Sequence, residues 1–356
     1  MSMSVRNFFL SSPPVEWAVN QLRELLIGAL RQGPIPQHVA FVMDGNRRFA
    51  RTHKMETVEG HNLGFEALAR ILEVCYKSGV RTVTVYAFSI ENFNRSKYEV
   101  DALMEMAKVK LQQLSQHGEL LDRYGASVRV LGSRAMLKPD VLAAIDKAVE
   151  MTQNNGDAVL NICFPYTSRD EITTAIKKTV EDYSTPLHSQ ARPFSQTRIT
   201  QKIRSRNLAT SPLASSPLRA SSPAPSSISD LDDSVSSSTT LHPDSPPTDS
   251  RSHNNAIYQD PETITSETLD QHMFTAGDPP LDLLVRTSGV NRLSDFMLWQ
   301  CHENTKMVFL DCLWPDFDLW QFLPVLVEWQ WQQKYLEDKS VGKVGASKSA
   351  KALKVR

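Results

Sequence analysis

Four apolar runs of strand length in this 356-residue chain stop abruptly at polar or charged residues, and helical spacing fills the intervals between them. Val39 to Met43 breaks at Asp44-Gly45, followed by Asn46, Arg47 and Arg48. Thr82 to Phe88 breaks at the cluster from Ser89 to Arg95, Ala158 to Phe164 at Tyr166-Thr-Ser-Arg-Asp170, and Leu281 to Arg286 at Thr287 to Phe296. Near-continuous apolar strands belong to parallel sheets covered on both faces, and their alternation with helices argues an α/β fold. Parallel strands present their C-terminal ends on one edge, so the charged residues should converge on a single crevice.

The remaining segments fit this frame. Leu63 to Lys77 reads as a helix closed by Gly79, and Ser96 to Tyr124 as a long one, with Ser96 as N-cap and Glu99 as its capping-box partner. Strand Ser127 to Leu131, helix Pro139 to Met151, helix Ser168 to Asp182, a short helix near Pro261, strand Met307 to Leu310 and a Trp-rich helix from Leu319 to Tyr335 follow. The expectation is a single domain, residues 34–183 and 256–336, with a central, mostly parallel sheet flanked by helices. Before it, in residues 1–33, Val15, Val19, Leu22, Leu26 and Leu30 recur at helical spacing. Such a helix docks on the chain's own core or a partner, or lies in a membrane interface with Phe8, Phe9 and Trp17. Residues 184–255 are rich in Ser, Pro, Thr and Asp and nearly free of aromatics, which predicts a disordered insert. Residues 337–356 form a basic tail expected to be flexible.

Composition narrows the function. A net charge of −1 gives no basic field for nucleic acid. Cys75, Cys163, Cys301 and Cys312 are scattered and no secretory h-region precedes them, which points to a reduced, cytosol-facing compartment. No apolar run reaches the roughly 18 residues of a membrane span, so membrane association should be peripheral. Neither GxxxxGK[ST] nor GxGxxG is present, which disfavours a nucleotide cradled by a glycine-rich loop. Three or four arginines beside one or two carboxylates suit two diphosphates and a Mg²⁺ ion. The first stretch taken alone would equally suit a solvated surface turn.

Five motifs in order, HVAFVMDGNRRFA, EGHNLGFEAL, VTVYAFSIENFNRSKYEV, RTSGVNRLSDFMLWQ and LWPDF, make the chain resemble the cis-prenyltransferases. Its RRFA, SIENFNRS and RTSGxxRLSDF wording resembles the eukaryotic dolichol branch, the dehydrodolichyl diphosphate synthases. The resemblance implies cis-prenyl chain elongation, in which isopentenyl diphosphate is condensed onto farnesyl diphosphate with Mg²⁺ as cofactor. For Asp44 it implies Mg²⁺ coordination and a part in proton removal, and for Gly45 and Asn46 a close approach to phosphate oxygens. Arg47, Arg48 and His61 match allylic diphosphate positions, while Ser89, Asn92 and Arg95 match the loop over the reacting groups, Asn92 and Arg95 as catalytic residues. Arg286, Arg292 and Ser294 match the isopentenyl diphosphate site. Glu99 is either a capping partner or part of the site, and Arg169 either a site residue or half of an internal salt bridge.

The product is expected in a hydrophobic tunnel between the sheet and two helices, lined by Phe65, Leu68, Leu103 and Met106. Departures from bacterial members are Thr57 for an arginine, Thr305 for a metal-binding glutamate, and Val290-Asn291 for a Glu-His pair. The RxG tail of homodimeric members is missing, so a related non-catalytic subunit is expected to supply it. The resemblance places the chain peripherally on the cytosolic face of the endoplasmic reticulum membrane. Two other readings stand beside this one: the non-catalytic subunit of the same complex, and an unrelated phosphate-binding α/β module.

Overall fold

The computed structural model describes residues 13–114, 120–186, 258–302 and 304–352. Six strands, β1 (His38–Val42), β2 (Thr82–Tyr86), β3 (Ala126–Leu131), β4 (Ala158–Cys163), β5 (Leu283–Arg286) and β6 (Lys306–Phe309), form one sheet in the order β3-β4-β2-β1-β5-β6. Every neighbouring pair is parallel. Every residue of β1 is buried, and Val42 lies opposite Tyr86 on one side and Arg286 on the other. The chain leaving β1 therefore enters the crevice beside the end of β5.

Alternation along β1 sorts its side chains between two cores, as a period of two requires. Val39 and Phe41 join the larger core with Leu72 and Trp314, and Ala40 and Val42 join a smaller one closed by Phe296 and Met297. The loop after β5 thus folds back over one sheet face. The helices are α1 (Pro13–Leu30), α2 (Asn46–Thr52), α3 (Thr57–Ser78), α4 (Lys97–Leu114), α5 (Leu120–Arg123), α6 (Pro139–Thr152), α7 (Ser168–Ser184), α8 (Ser266–Asp270) and α9 (Leu319–Ala352). The described residues up to Val180 and from Ile264 onward make one compact unit. The described residues within Glu181–Thr263 belong to a second, in which the Tyr183 hydroxyl lies 3.2 Å from that of Thr263.

Three polar side chains inside the sheet bond to one another. His38, only 1% exposed, has Nδ1 2.9 Å from the Pro279 carbonyl, which can only accept. Nε2 is then the acceptor, 2.7 Å from the Thr84 hydroxyl, whose oxygen takes a bond from Asn161 Nδ2 at 3.2 Å. Burial lowers the His38 pKa, in keeping with this neutral tautomer.

Several boundaries differ from the sequence reading. Residues 46–52 are helix rather than turn, and α3 begins at Thr57, so that His61 lies in its early turns. The helix expected from Ser96 to Tyr124 divides into α4 and α5, with residues 115–119 outside the described set. Glu99 makes half of the capping box: its N–H donates to Ser96 Oγ at 3.3 Å, but its carboxylate takes Arg95 at 2.9 Å. The same carboxylate gains more from a charged guanidinium than from an uncharged backbone N–H. On α1, Ile27 and Leu30 enter the core while Trp17, Leu22 and Leu25 stay exposed. α9 continues past Tyr335 to Ala352. Phe8 and Phe9, and the insert except residues 184–186, lie outside the described residues.

Thr305 lies away from the end of β1 that carries Asp44. It precedes β6 at the N-terminal edge of the sheet, where its hydroxyl donates to the Leu281 carbonyl at 2.8 Å. Lys306 pairs with Leu283 and Phe309 with Arg286, so Asp44 is at the other edge, roughly 10 Å away along three strand residues. A carboxylate at 305 would not reach this chain's own Asp44.

Trp314 is 1% exposed, donates Nε1–H to the Gly64 carbonyl at 2.7 Å and lies 5.9 Å from the Phe41 ring and 5.4 Å from that of Phe317. Trp314→Ala should cost about 3–5 kcal/mol, the usual range for a fully buried tryptophan. Denaturant unfolding checks this; a midpoint unchanged from the wild type would contradict the packing described.

Candidate active site

Arg286 organises the crevice. Its side chain is 4% exposed, and three groups take its donors: Asp44 Oδ2 at 2.8 Å from one terminal nitrogen, Ser294 Oγ at 2.6 Å and the Arg292 carbonyl from the other. The Asp44 carbonyl accepts from the Thr287 hydroxyl at 2.7 Å and from Trp314 N–H at 3.1 Å, which fixes the turn out of β1. Burial pushes the Asp44 carboxyl upward, but hydrogen bonds from Arg286 and Ser288, with the Arg286 charge, outweigh it and hold the pKa below its ordinary value. Asp44 is therefore a carboxylate.

Gly45 has φ 113°, and a Cβ there would come within 3.1 Å of the Leu313 backbone, so the turn into α2 admits only glycine. α2 then lies so close to α3 that a Cβ on Gly64 would sit 2.4 Å from Asn46 Oδ1. Arg48 donates to Ser288 Oγ and stands 3.9 Å from Asp44 Oδ2. At the end of β2, Ser89 caps the 3₁₀ turn Ile90–Asn94: its Oγ accepts from Glu91 N–H at 3.2 Å, and Asn92 Oδ1 accepts from Ser89 N–H at 3.1 Å. The Asn92 amide donors are not used by this turn.

Cations crowd the mouth of the crevice. Burial and then the Arg47 charge lower the Arg95 pKa, with the Glu99 carboxylate opposing. Burial, followed by the charges of Arg95 and Arg47, depresses His61 to about 4, so its imidazole is neutral near pH 7. His61 Nε2 and Asn46 Oδ1 are buried without a hydrogen-bond partner. Both residues line an apolar pocket of about 140 Å³ between the sheet, α3 and α4, together with Phe65, Leu68, Leu103 and Met106. The geometry offers cations and amide groups at the rim and hydrocarbon behind them, which suits an anion with an apolar tail.

Of the residues singled out from sequence, Asp44, Arg48, Arg286 and Ser294 are joined by the contacts above, and Arg47, His61, Arg95 and Glu99 interact through their charges. Arg292 is exposed, with Nε 3.2 Å from Ser294 Oγ. Arg169 stands apart: its guanidinium is 77% exposed and pairs with Asp295 at 3.0 Å, the salt-bridge alternative. Sequence reasoning passed over Ser288 and Thr287, which bind Arg48 and the Asp44 carbonyl. Their place immediately after Arg286 was the available signal. Among the described residues no three His, Cys, Asp or Glu side chains cluster as a metal site would require.

The sequence profile of the family described as putative undecaprenyl diphosphate synthase matches residues 42–219 and 232–337. The dehydrodolichyl diphosphate synthase complex subunit of Schizosaccharomyces pombe is 40% identical over 331 residues, 93% of this chain and 98% of the relative. That of Homo sapiens is 33% identical over 308 residues, 86% of this chain and 71% of the relative. The crystal structure of lavandulyl diphosphate synthase from Lavandula x intermedia covers 83% of this chain and 95% of its own, at 23% identity and a TM-score of 0.57, a likeness of fold.

Since an unfolded histidine titrates at about 6.5 and His61 in the native chain at about 4, His61 contributes stability above pH 6.5 that is lost as pH falls through this interval. In an NMR titration its ring should stay neutral at pH 6 and protonate only near pH 4. A midpoint at the ordinary histidine value would contradict the environment described.

Proposed function

The chain belongs to the undecaprenyl diphosphate synthase family of prenyltransferases, the cis-prenyltransferases, and on that footing we propose that it condenses isopentenyl diphosphate onto farnesyl diphosphate to make long-chain polyprenyl diphosphate for dolichol synthesis and protein glycosylation. One observation carries the reading: the Asp44–Arg286 bridge, 2.8 Å across adjacent strand ends, stands beside an apolar pocket whose mouth holds Asn46 and His61.

In the reaction the allylic C–O bond breaks toward its diphosphate, the isopentenyl double bond supplies the electron pair of the new C–C bond, and a proton leaves the isopentenyl unit. Negative charge grows on the departing diphosphate, where fixed donors in a site shielded from water stabilise it. Arg48, with Arg47 beside it, bears on that group, and neutral His61 can donate a hydrogen bond to it without adding to the crowding of cations. Arg286, Arg292 and Ser294 hold the second diphosphate so that its carbon faces the allylic centre. The unused amide donors of Asn92, and Arg95 steadied by Glu99, bear on the reacting groups from the β2 end. The donor set fits Mg²⁺, because Arg286 takes one oxygen of Asp44 and a single carboxylate with phosphate oxygens and water is a usual magnesium shell. When bound, that ion supplies charge neutralisation to the leaving diphosphate. The growing chain runs into the apolar pocket between the sheet, α3 and α4.

A related subunit contributing the RxG tail would complete the assembly, a reading supported by relatives named as subunits of a complex. The site of action is the cytosolic face of the endoplasmic reticulum membrane, reached peripherally. No helix of the described residues is long and apolar enough to cross a membrane.

Incorporation of labelled isopentenyl diphosphate onto farnesyl diphosphate tests the assignment. Asp44→Ala should lose at least about a thousandfold in rate, the scale of a removed transition-state contact. An unimpaired variant would overturn it. Co-expression with the proposed partner should raise incorporation, and full activity of the lone chain would remove the partner from the scheme.

A further inference from the structure

The second diphosphate site depends on a backbone turn that its own sequence does not favour. Ser294, Asp295 and Met297 have φ values of 52°, 59° and 47°, left-handed conformations held here by three residues that are not glycine. A turn of that kind persists only where its surroundings over-determine it. Four contacts do so from α7. Ser168 N–H donates to the Asp295 carbonyl at 2.8 Å, and Arg169 N–H and Nε–H donate to the two Asp295 carboxylate oxygens at 3.1 and 3.0 Å. Leu298 N–H donates to Ser168 Oγ at 2.8 Å. From β2, the Tyr86 ring stacks on Phe296 at 4.7 Å and its hydroxyl donates to the Ser294 carbonyl at 3.3 Å.

The two halves of the site are held differently. Arg286 is fixed by the sheet and by Asp44, whereas Ser294 and Arg292 sit on the loop and meet the sheet through hydrogen bonds to Arg286 and, for Ser294, to Tyr86. The Asp295 side chain is 8% exposed while the Arg169 guanidinium is 77% exposed, so the carboxylate is the buried member, and one of its two bonds goes to a backbone N–H. The turn sets Ser294 Oγ between the Arg286 and Arg292 guanidinium groups, at 2.6 and 3.2 Å.

We propose that Asp295, clamped by Arg169 and Ser168 across 126 residues of sequence, is a positioning residue for the isopentenyl diphosphate site, aiming Ser294 and Arg292 without touching substrate. The proposal rests on the reading of Arg286, Arg292 and Ser294 as that site. It separates the substrates: loosening the clamp weakens the nucleophile's site and leaves the allylic site, built on β1, α2 and α3, as it was.

Steady-state kinetics of the full chain, in the complex in which it is active, tests this with Asp295→Ala, Asp295→Asn, Arg169→Ala and, as reference, Ser294→Ala. In Asp295→Ala the KM for isopentenyl diphosphate should rise about tenfold, below the roughly hundredfold that a 1 Å misplacement can cost. The KM for farnesyl diphosphate and the melting temperature should stay near wild type. Arg169→Ala, which keeps the backbone bond, should show a smaller rise, and Asp295→Asn, which keeps one acceptor, should recover part of the loss. If Ser294→Ala raises the isopentenyl KM and Asp295→Ala does not, the clamp is wrong and the site stands. If neither changes it, the site reading fails first. A joint rise of both KM values with a lowered melting temperature would mark Asp295 as merely structural. Should Asp295→Ala not fold, Arg169→Ala decides, since an unchanged isopentenyl KM there with Ser294→Ala impaired overturns the clamp.

Discussion

A guanidinium withdrawn from water must find an acceptor for its charge, and Arg286 imposes that demand on everything around it. An unpaired buried charge costs several kcal/mol, so the groups that meet Arg286 are held nearly as firmly as the residue itself. They come from separate parts of the chain: Asp44 from the end of β1, and Ser294 with the Arg292 carbonyl from the loop over the opposite sheet face. The Asp44 main chain is in turn fixed through its carbonyl by Thr287 and Trp314, so the large aromatic core beneath the sheet is tied to the Asp44 backbone through one hydrogen bond.

Around this bridge the polarity changes over a short distance. The Arg47 charge adds to burial in lowering the Arg95 pKa, and burial, then the charges of Arg95 and Arg47, keeps His61 uncharged beside them. Behind them Asn46 Oδ1 and His61 Nε2 are buried without a protein hydrogen-bond partner, so both keep bonding capacity at the pocket mouth. Beyond these two atoms the lining turns to Phe65, Leu68, Leu103 and Met106. Gly64 permits the arrangement, because any larger residue would push the Asn46 amide out of the pocket mouth.

Much of this was legible before the structure. The strands announce themselves as apolar runs, and parallel pairing alone carries Asp44 and Arg286 to one edge. What was not legible depends on contacts distant in sequence. The partner of Arg169 lies 126 residues away, and nothing in its own segment selects the salt bridge over a site role. The left-handed turn at Ser294 and Asp295 is invisible because it lacks the glycines that usually betray one. The distance of Thr305 from Asp44 was not legible either, because a motif gives order along the chain and not the edge of the sheet, which only the pairing of Lys306 with Leu283 supplies. Glu99 had two partners within one helical turn, and charge decided between them.

The central place of β1 also bears on how the chain is made. Asp44 and Arg286 are 242 residues apart, and β5 pairs directly with β1. At about 5–20 residues per second the ribosome spends on the order of ten to fifty seconds between them. For all that time β1 offers a bare hydrogen-bonding edge and an apolar face to the surrounding solution. A nascent chain in that condition needs shelter from its own kind, and the enzyme's centre is the last part of the first strand's surroundings to close.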